Sequence, residues 1–250
     1  MKYILFVVLA GMAAGFLNTV AGGGSLITMP ILIFLGLPSA VANGTNRVAL
    51  MVQNVIAIMN FRQKGFFDWK LSIMLAMPAV LGSMIGSKIA VAIPDYIFNK
   101  LLGIVMIMVL ILTIWNPQKK LESKEMILDR KKKIIACIVF FFVGVYGGLI
   151  QAGVGFIIII SLTFITGFTL VKINSLKVFI VAVYMVSSLC VFVFSGKVNW
   201  IYGLSLAMGN GIGAYLGSNF SVNKGDKWIR IILVSAVSLM AMKLLGIFNL

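Results

Sequence analysis

The feature that most constrains this chain is a series of apolar runs, separated by short polar breaks, that continues over almost all of its 250 residues. Hydrophobic residues make up 61% of the sequence and charged residues 11%, whereas a soluble domain carries about 25% charged residues. Because one water-soluble core cannot bury so much apolar surface, the sequence predicts an all-α polytopic membrane protein. The run at 1–21 resembles a signal peptide, but further apolar runs follow, so we interpret it as the first membrane helix.

The apolar runs divide into ten helical segments, five in each half. They cover residues 3–20, 25–37, 45–61, 71–92 and 97–115, and then 134–150, 155–167, 177–195, 200–220 and 229–247. A full crossing needs about 20 residues, so 25–37 and 155–167 are too short to span a bilayer alone. Each follows a Gly-rich break. Whether these two broken segments cross fully or form re-entrant hairpins is left open by the sequence.

The two halves of the chain repeat each other at a spacing of 131 residues. The matched positions carry the same residue types, namely Gly65 and Gly196, Trp69 and Trp200, Gly82 and Gly213, Gly86 and Gly217, and Asp95 and Asp226. Nearer the start the spacing is 133, which pairs Gly11, Gly15 and Asn18 with Gly144, Gly148 and Gln151. We therefore predict a single membrane domain over 1–250, with a first repeat at 1–116, a linker at 117–133 and a second repeat at 134–250.

The positive charge of the chain, formally +15, predicts the orientation of the repeats. Lysine and arginine crowd the 117–133 linker and the 62–70 loop, which marks both as cytoplasmic. This placement beside apolar helices favours a bilayer over nucleic acid as partner. With five crossings per half, or three if the hairpins are re-entrant, the halves have inverted topology and both termini are external. The predicted location is the bacterial cytoplasmic membrane.

The first candidate site is the pair of Gly-rich breaks. Its residues are Asn18, Thr19, Gly22, Gly23, Gly24 and Ser25 in the first half, and Gln151, Gly153 and Gly155 in the second. Unwound backbone at membrane depth must be buried or line a wet cavity, because lipid cannot satisfy its polar groups. The helix that resumes at Ser25 would point unpaired N–H groups at that cavity and favour an anion. The alternative is a tight turn outside the membrane.

The second candidate site opens the third segment of each half. It comprises Thr45, Asn46 and Arg47, with Asn54 two turns further on, and in the second half Ser175 and Lys177. Each half would supply one cation at a helix start, where the charge opposes the helix dipole and calls for an anionic partner. The alternative is that both side chains extend to lipid headgroups.

Several chemistries are disfavoured by what the sequence lacks. It has no histidine, and its six acidic residues fall in loops or at segment ends. Cys137 and Cys190 have no metal-site spacing, so we expect no metal, no cofactor and no catalytic residues. The glycines at 82, 86, 213 and 217 predict close helix packing, and they would also permit a homodimer.

The doubled pattern resembles the TauE/SafE family of sulfite exporters and related anion permeases. The resemblance rests on the Gly-rich break after the first helix, the Gly-Thr-Asn-Arg stretch at 44–47 and the Gly-x-x-x-Trp after the third helix. Arg47 stands where the family commonly has lysine, and the second half reads Ile-Asn-Ser-Leu-Lys-Val at 173–178. The resemblance implies transport of sulfite or a small organosulfur anion such as sulfoacetate.

The hypothesis from the sequence is therefore a secondary transporter, an exporter in direction, that works by alternating access and is not an enzyme. The two breaks would meet near the membrane midplane, with Arg47 and Lys177 beside the bound anion. Alternatives are a carrier for another small anion (sulfoacetate, thiosulfate or a carboxylate), a channel, or a membrane scaffold that transports nothing.

Overall fold

The structure of the protein, a computed structural model, describes residues 2–115 and 129–244. Within these two ranges the chain forms helices and no strand, which confirms the predicted all-α class. The helices are α1 (Lys2–Val20), α2 (Ser25–Phe34), α3 (Ser39–Gln63), α4 (Trp69–Ala92), α5 (Asp95–Trp115), α6 (Arg130–Leu149), α7 (Val154–Thr166), α8 (Leu170–Phe194) and α9 (Trp200–Leu244), the last interrupted at Gly225. Most of the predicted linker, 117–128, lies outside the described residues.

The helix lengths and the outer surface fit a bilayer. Among the described residues, α4, α6 and α8 are long and apolar enough to cross a membrane. Helix α2 has 10 residues and α7 has 13, or about 15 Å and 20 Å of helix, so both are too short to cross. Leu81, Ile201 and Met208 are each at least 60% exposed, whereas asparagine, glutamine, arginine and lysine side chains are buried inside. This inside-out polarity belongs to a polytopic membrane protein.

Several helix starts are fixed by local capping. The side chain of Asp68 accepts a hydrogen bond of 3.1 Å from the amide of Leu71 and caps α4. Asp129 caps α6 in the same way through the amide of Lys132, at 2.8 Å. Such caps satisfy amides that have no partner within the helix, and a negative side chain also suits the positive helix end. Both of these acids therefore serve helix starts.

Helices α3 and α8 begin earlier than the sequence predicted. The apolar segments were placed at 45–61 and 177–195, but the helices start at Ser39 and Leu170. The predicted 38–44 loop is therefore mostly the first turns of α3, and Arg47 and Lys177 lie about two turns inside their helices rather than at helix starts. The prediction was wrong because hydropathy ends a segment at polar residues, whereas here polar residues form a buried, helical turn.

Helices from both halves combine into two bundles of parallel helices. In the first bundle, α1, α3 and α9 run in the same direction: an added Cβ at Gly213 would lie 2.1 Å from the carbonyl oxygen of Met12, and Asn60 on α3 hydrogen-bonds to Ser218 at 2.7 Å. In the second bundle, α4, α6 and α8 do the same. An added Cβ at Gly82 would lie 2.1 Å from the carbonyl oxygen of Phe141. The predicted packing role of these glycines is confirmed, since a side chain would force the backbones apart.

Each half thus gives its fourth helix to the other half's bundle: α9 joins α1 and α3, and α4 joins α6 and α8. The glycine contacts favour a different pairing of α1 with α6 than the sequence suggested. Gly15 packs on the backbone of Asn210, and Gly144 packs on Ala79, which is the position 131 residues earlier. Gly15 therefore corresponds to Gly144, about one helical turn from the predicted match. Repeated glycines on one face made the two pairings look alike in sequence.

The two bundles meet along α3 and α8, which cross in opposite directions at the centre. Near the start of α3, an added Cβ at Gly44 would lie 2.8 Å from the ring of Phe192, late in α8. Three residues further along α3, Arg47 reaches Met185, earlier in α8. This crossing brings polar residues of both helices next to the two chain breaks.

Candidate functional site

The two Gly-rich breaks touch each other in the interior. Gly22 has a φ of 86° and Gly153 a φ of 73°, a left-handed conformation that glycine adopts without strain. An added Cβ at Gly155 would lie 2.4 Å from the Cα of Gly22, so only glycine permits this approach. Gly23 and Gly24 are buried as well. The breaks are therefore not turns exposed to solvent, and the predicted meeting of the breaks is confirmed at this contact.

Arg47, on α3 of the first bundle, reaches the carbonyl end of α6 in the second bundle. Its side chain is fully buried. Nη1 donates to the carbonyl oxygen of Gly147 at 3.1 Å, and Nη2 donates to that of Gly148 at 2.6 Å. The guanidinium carbon also lies 4.6 Å from the centre of the Phe192 ring. Arg47 does not extend to the lipid surface; it caps a helix of the other half.

Lys177, on α8 of the second bundle, makes the equivalent contact with the carbonyl end of α1 in the first bundle. It is 3% exposed, and its Nζ donates to the carbonyl oxygens of Asn18 and Thr19, both at 2.9 Å. A third bond of 2.8 Å goes to the side-chain oxygen of Asn174. The alternative of lysine extending to headgroups is therefore wrong for this residue too.

Two asparagines that the predicted site left out complete these contacts. Asn43 donates to the carbonyl oxygen of Leu149 at 2.8 Å and accepts from Nη2 of Arg47 at 3.2 Å. Asn174 donates to the carbonyl oxygen of Val20 at 3.0 Å and accepts from Lys177. The signal that could have found them is the repeat itself, because Asn43 and Asn174 lie 131 residues apart.

A second layer of polar contacts holds the residues just before the breaks. The side-chain oxygen of Gln53 accepts from the amide groups of Asn18, at 3.2 Å, and of Asn210, at 3.4 Å. In the second half the hydroxyl of Tyr184 donates to the side-chain oxygen of Gln151 at 3.1 Å. Gln53 and Tyr184 are equivalent in the repeat, and neither was among the predicted site residues.

Two of the predicted residues lie away from the breaks. Thr45 accepts a hydrogen bond of 2.8 Å from the amide of Asn199, in the turn between α8 and α9. Asn54 is buried, but its amide donates to the carbonyl of Leu50 in its own helix, at 2.8 Å. Both therefore support α3 locally.

Other predicted residues carry polar atoms that are buried and make no hydrogen bond to the described part of the chain. These atoms are Oγ1 of Thr19, Nδ2 of Asn46, Nε of Arg47 and Oγ of Ser175. Asn46 is held beside α2, because its oxygen accepts from Thr28 at 2.8 Å. Leaving a buried polar group unpaired costs about 1–3 kcal/mol, so such atoms mark a place where a bound molecule or water gains hydrogen bonds.

The charge inside this region is positive. Within residues 2–115 and 129–244, the charged side chains that are buried are Arg47 and Lys177. The short helices α2 and α7 begin at the breaks, so their N-terminal amides add partial positive charge. No backbone hydrogen bond within the described residues uses the amides of Gly23, Gly24 or Ser25 as donors. The region can therefore attract an anion and offer it N–H and O–H donors.

An apolar helical shell around two touching, cation-flanked helix breaks defines the class of the protein: it is a membrane transporter. The chain belongs to the sulfite exporter TauE/SafE family, whose sequence model matches residues 7–244. This match confirms the resemblance seen in the sequence.

Relatives with the same general description align over most of their length. One is a probable membrane transporter protein of Haemophilus influenzae, 29% identical over 96% of this chain and 93% of the relative. Another is the probable membrane transporter protein YfcA of Escherichia coli, 29% identical over 97% of this chain and 88% of the relative. ORF9 of a Sinorhizobium species, also a probable membrane transporter protein, is 25% identical over 97% and 92%. No solved structure matches the chain.

Proposed function

We propose that this protein carries a small oxyanion, sulfite or a small organosulfur anion, across the bacterial cytoplasmic membrane by alternating access. The observation that carries the proposal is the contact of Gly22 with Gly155, which places two helix breaks, one from each half, together between the bundles. The family's description as sulfite exporter supports the substrate. Sulfoacetate, thiosulfate and carboxylates are the competing substrates, because each offers oxygens to the same donors.

The anion would bind where the N-terminal ends of α2 and α7 face the unpaired atoms of Asn46 and Ser175. Helix N-termini bind oxyanions through backbone amides and the helix dipole, without a full charge in contact. Two net positive charges nearby, from Arg47 and Lys177, compensate the negative charge of the substrate in a low-dielectric interior. Two half-sites in equivalent surroundings suit an anion with several oxygens.

Export would need no separate proton carrier. An anion that leaves a cell whose interior is negative moves with the membrane potential, which contributes about 2.3 kcal/mol per charge for each 100 mV. Asp68, Asp95 and Asp129 are all placed at helix starts, so none of them is available to carry a proton beside the breaks. Direction from inside to outside is therefore the simplest mode of action.

The moving units in this mechanism would be the two bundles rather than the two repeats. Each repeat donates its fourth helix to the other bundle, and that helix packs there through glycines at backbone contact. Relative motion of the repeats as rigid bodies would break both glycine interfaces. Rocking of one bundle against the other, along α3 and α8, would leave those interfaces intact and expose the breaks to each side in turn.

The bundle directions also support the predicted topology. Helices α4 and α6 run in parallel, as they must if the 62–70 loop and the 117–133 linker are both cytoplasmic. In the first bundle α1, α3 and α9 run in parallel, as they must if each starts outside. We therefore keep inverted repeats with both termini external as part of the proposal, with 1–116 and 134–250 as the repeats.

The test is anion flux in proteoliposomes, with sulfite, thiosulfate, sulfoacetate and chloride as separate substrates. We compare wild type with Asn46→Ala and Ser175→Ala, and use Ser205→Ala as control because that hydroxyl bonds the Ile201 carbonyl of its own helix. Loss of a hydrogen bond to an anion should raise the KM for sulfite about tenfold in the two site variants. A protein that moves none of these anions would be a scaffold. Unitary currents in a planar bilayer would instead show a channel, and either result overturns the proposal.

A further inference from the structure

We infer that Arg47 and Lys177 are positioning residues that neutralise the carbonyl ends of α6 and α1, and that neither binds the transported anion directly. The inference rests on the proposed anion site in one respect only, its effect on affinity. The capping itself is a property of the protein without substrate. It also changes the role that the sequence suggested for these residues, which was to hold the oxyanion.

The donors of both cations are already engaged. The ammonium of Lys177 has three N–H donors, and it has three acceptors, at 2.9, 2.9 and 2.8 Å. Both Nη atoms of Arg47 donate to backbone or side-chain oxygens. Phe192 covers one face of the guanidinium. An anion would have to displace strong, buried, charge-assisted bonds to reach either group, and only the Nε of Arg47 is unpaired within the described residues.

The carbonyl ends need this compensation because of where they lie. A helix C-terminus carries a partial charge of about −0.5 and carbonyl oxygens without partners within the helix. At each break such an end stands a few residues from the N-terminus of the next short helix, which carries about +0.5. Without a cation, the negative end would cancel much of the attraction for an anion. A full positive charge on the C-terminus leaves the site net positive.

The arrangement is reciprocal across both the repeats and the bundles. Arg47 belongs to the first repeat and the first bundle, and it caps α6 of the second. Lys177 belongs to the second repeat and the second bundle, and it caps α1 of the first. Asn43 and Asn174 bond the next carbonyl along, at 2.8 and 3.0 Å. A change at either cation should therefore be felt at the break of the opposite half.

The experiment measures hydrogen–deuterium exchange of the full chain in lipid nanodiscs without substrate, and then sulfite KM in proteoliposomes. The variants are Arg47→Gln and Lys177→Gln, with Arg47→Lys and Lys177→Arg to retain charge. Lys88→Gln is the control because Lys88 is exposed on α4. We expect Lys177→Gln to speed exchange about tenfold at 18–25, and Arg47→Gln to do so at 147–155. The charge-retaining variants should recover most of the sulfite affinity that the glutamine variants lose.

Asn43→Ala and Asn174→Ala provide a milder arm in case the glutamine variants do not fold. They keep both charges, so we expect the same cross-repeat pattern of faster exchange with sulfite KM changed less than threefold. Unchanged exchange at the opposite break, with sulfite affinity lost, would make the cations direct ligands and overturn the inference. A uniform rise in exchange over the whole chain would make them ordinary core residues and overturn it equally. The expected exchange pattern in a protein that moves no anion would sink the proposed function and leave the capping in place.

Discussion

Arg47 and Lys177 occupy equivalent places on two helices that cross at the centre of the molecule, and each binds the carbonyl end of a helix from the other half. Arg47 bonds residues 100 and 101 positions away, and Lys177 bonds residues 159 and 158 positions away. The shortest of these bonds, from Arg47 to the carbonyl of Gly148, is 2.6 Å. The charge of each half thus stabilises the break of its partner, which makes the two halves interdependent.

The contact between the breaks predicts that Gly155 tolerates no side chain. In Gly155→Ala the new Cβ would lie 2.4 Å from the Cα of Gly22, a backbone atom that cannot move aside as a side chain would. We expect a loss of about 2 kcal/mol or more in stability and loss of anion flux. Thermal unfolding in detergent and proteoliposome flux measure the two effects. Gly103→Ala, on α5 with nothing within 4 Å, is the control and should be neutral or stabilising.

Gln53 is predicted to matter more than its neighbour Asn54, although the sequence pointed to Asn54. Gln53→Leu would remove the acceptor for both Asn18 and Asn210 and leave two buried amide groups unpaired. The expected cost is about 2–4 kcal/mol. Asn54→Leu removes only a bond to its own helix, at Leu50, and should cost less. Equal melting temperatures for the two variants would contradict this reading of the network.

Tyr184→Phe tests the equivalent contact in the second half with little change of shape. It removes the hydroxyl that bonds Gln151 at 3.1 Å and keeps the buried ring. We expect a loss of about 1 kcal/mol, seen as a lower unfolding temperature, because Gln151 is left with a buried, unpaired oxygen. Tyr202→Phe, on a ring that is only partly buried, is the matched control. A larger loss in the control than in Tyr184→Phe would argue against the contact.

A disulfide can decide whether repeats or bundles move. Ser83 on α4 and Ser187 on α8 come from different repeats but the same bundle, and their hydroxyl oxygens lie 2.8 Å apart. In a background with Cys137→Ala and Cys190→Ser, we expect Ser83→Cys with Ser187→Cys to form a disulfide under oxidation and to keep sulfite flux. The reduced protein is the control. Flux that stops on oxidation and returns on reduction would mean that α4 and α8 separate during transport.

The predicted glycine faces bear on oligomerisation. Gly82, Gly86, Gly213 and Gly217 all contact backbone of helices within the same chain. These faces are therefore occupied, and a homodimer, which stays a prediction, would have to use other surfaces. The exposed side of α4, which carries Leu81, is one such surface.

What the sequence determined by itself is local: the membrane class, most helix boundaries, the two short helices and the two breaks. Apolar runs of defined length and clustered glycines report these features directly, because each depends on residues close together in the chain. The same logic misplaced the starts of α3 and α8, since a buried polar turn such as 43–47 looks like a loop when only hydropathy is considered.

Only the tertiary structure decided how those parts serve one another. The exchange of fourth helices between the bundles, the one-turn shift between α1 and α6, and the capping of α1 by Lys177 and of α6 by Arg47 all depend on backbone approach between distant segments. A cation in a membrane interior must find a partner, but the sequence offers anions, lipid headgroups and carbonyl ends alike. Packing chose the carbonyl ends, because the glycine contacts bring them within reach of the two side chains.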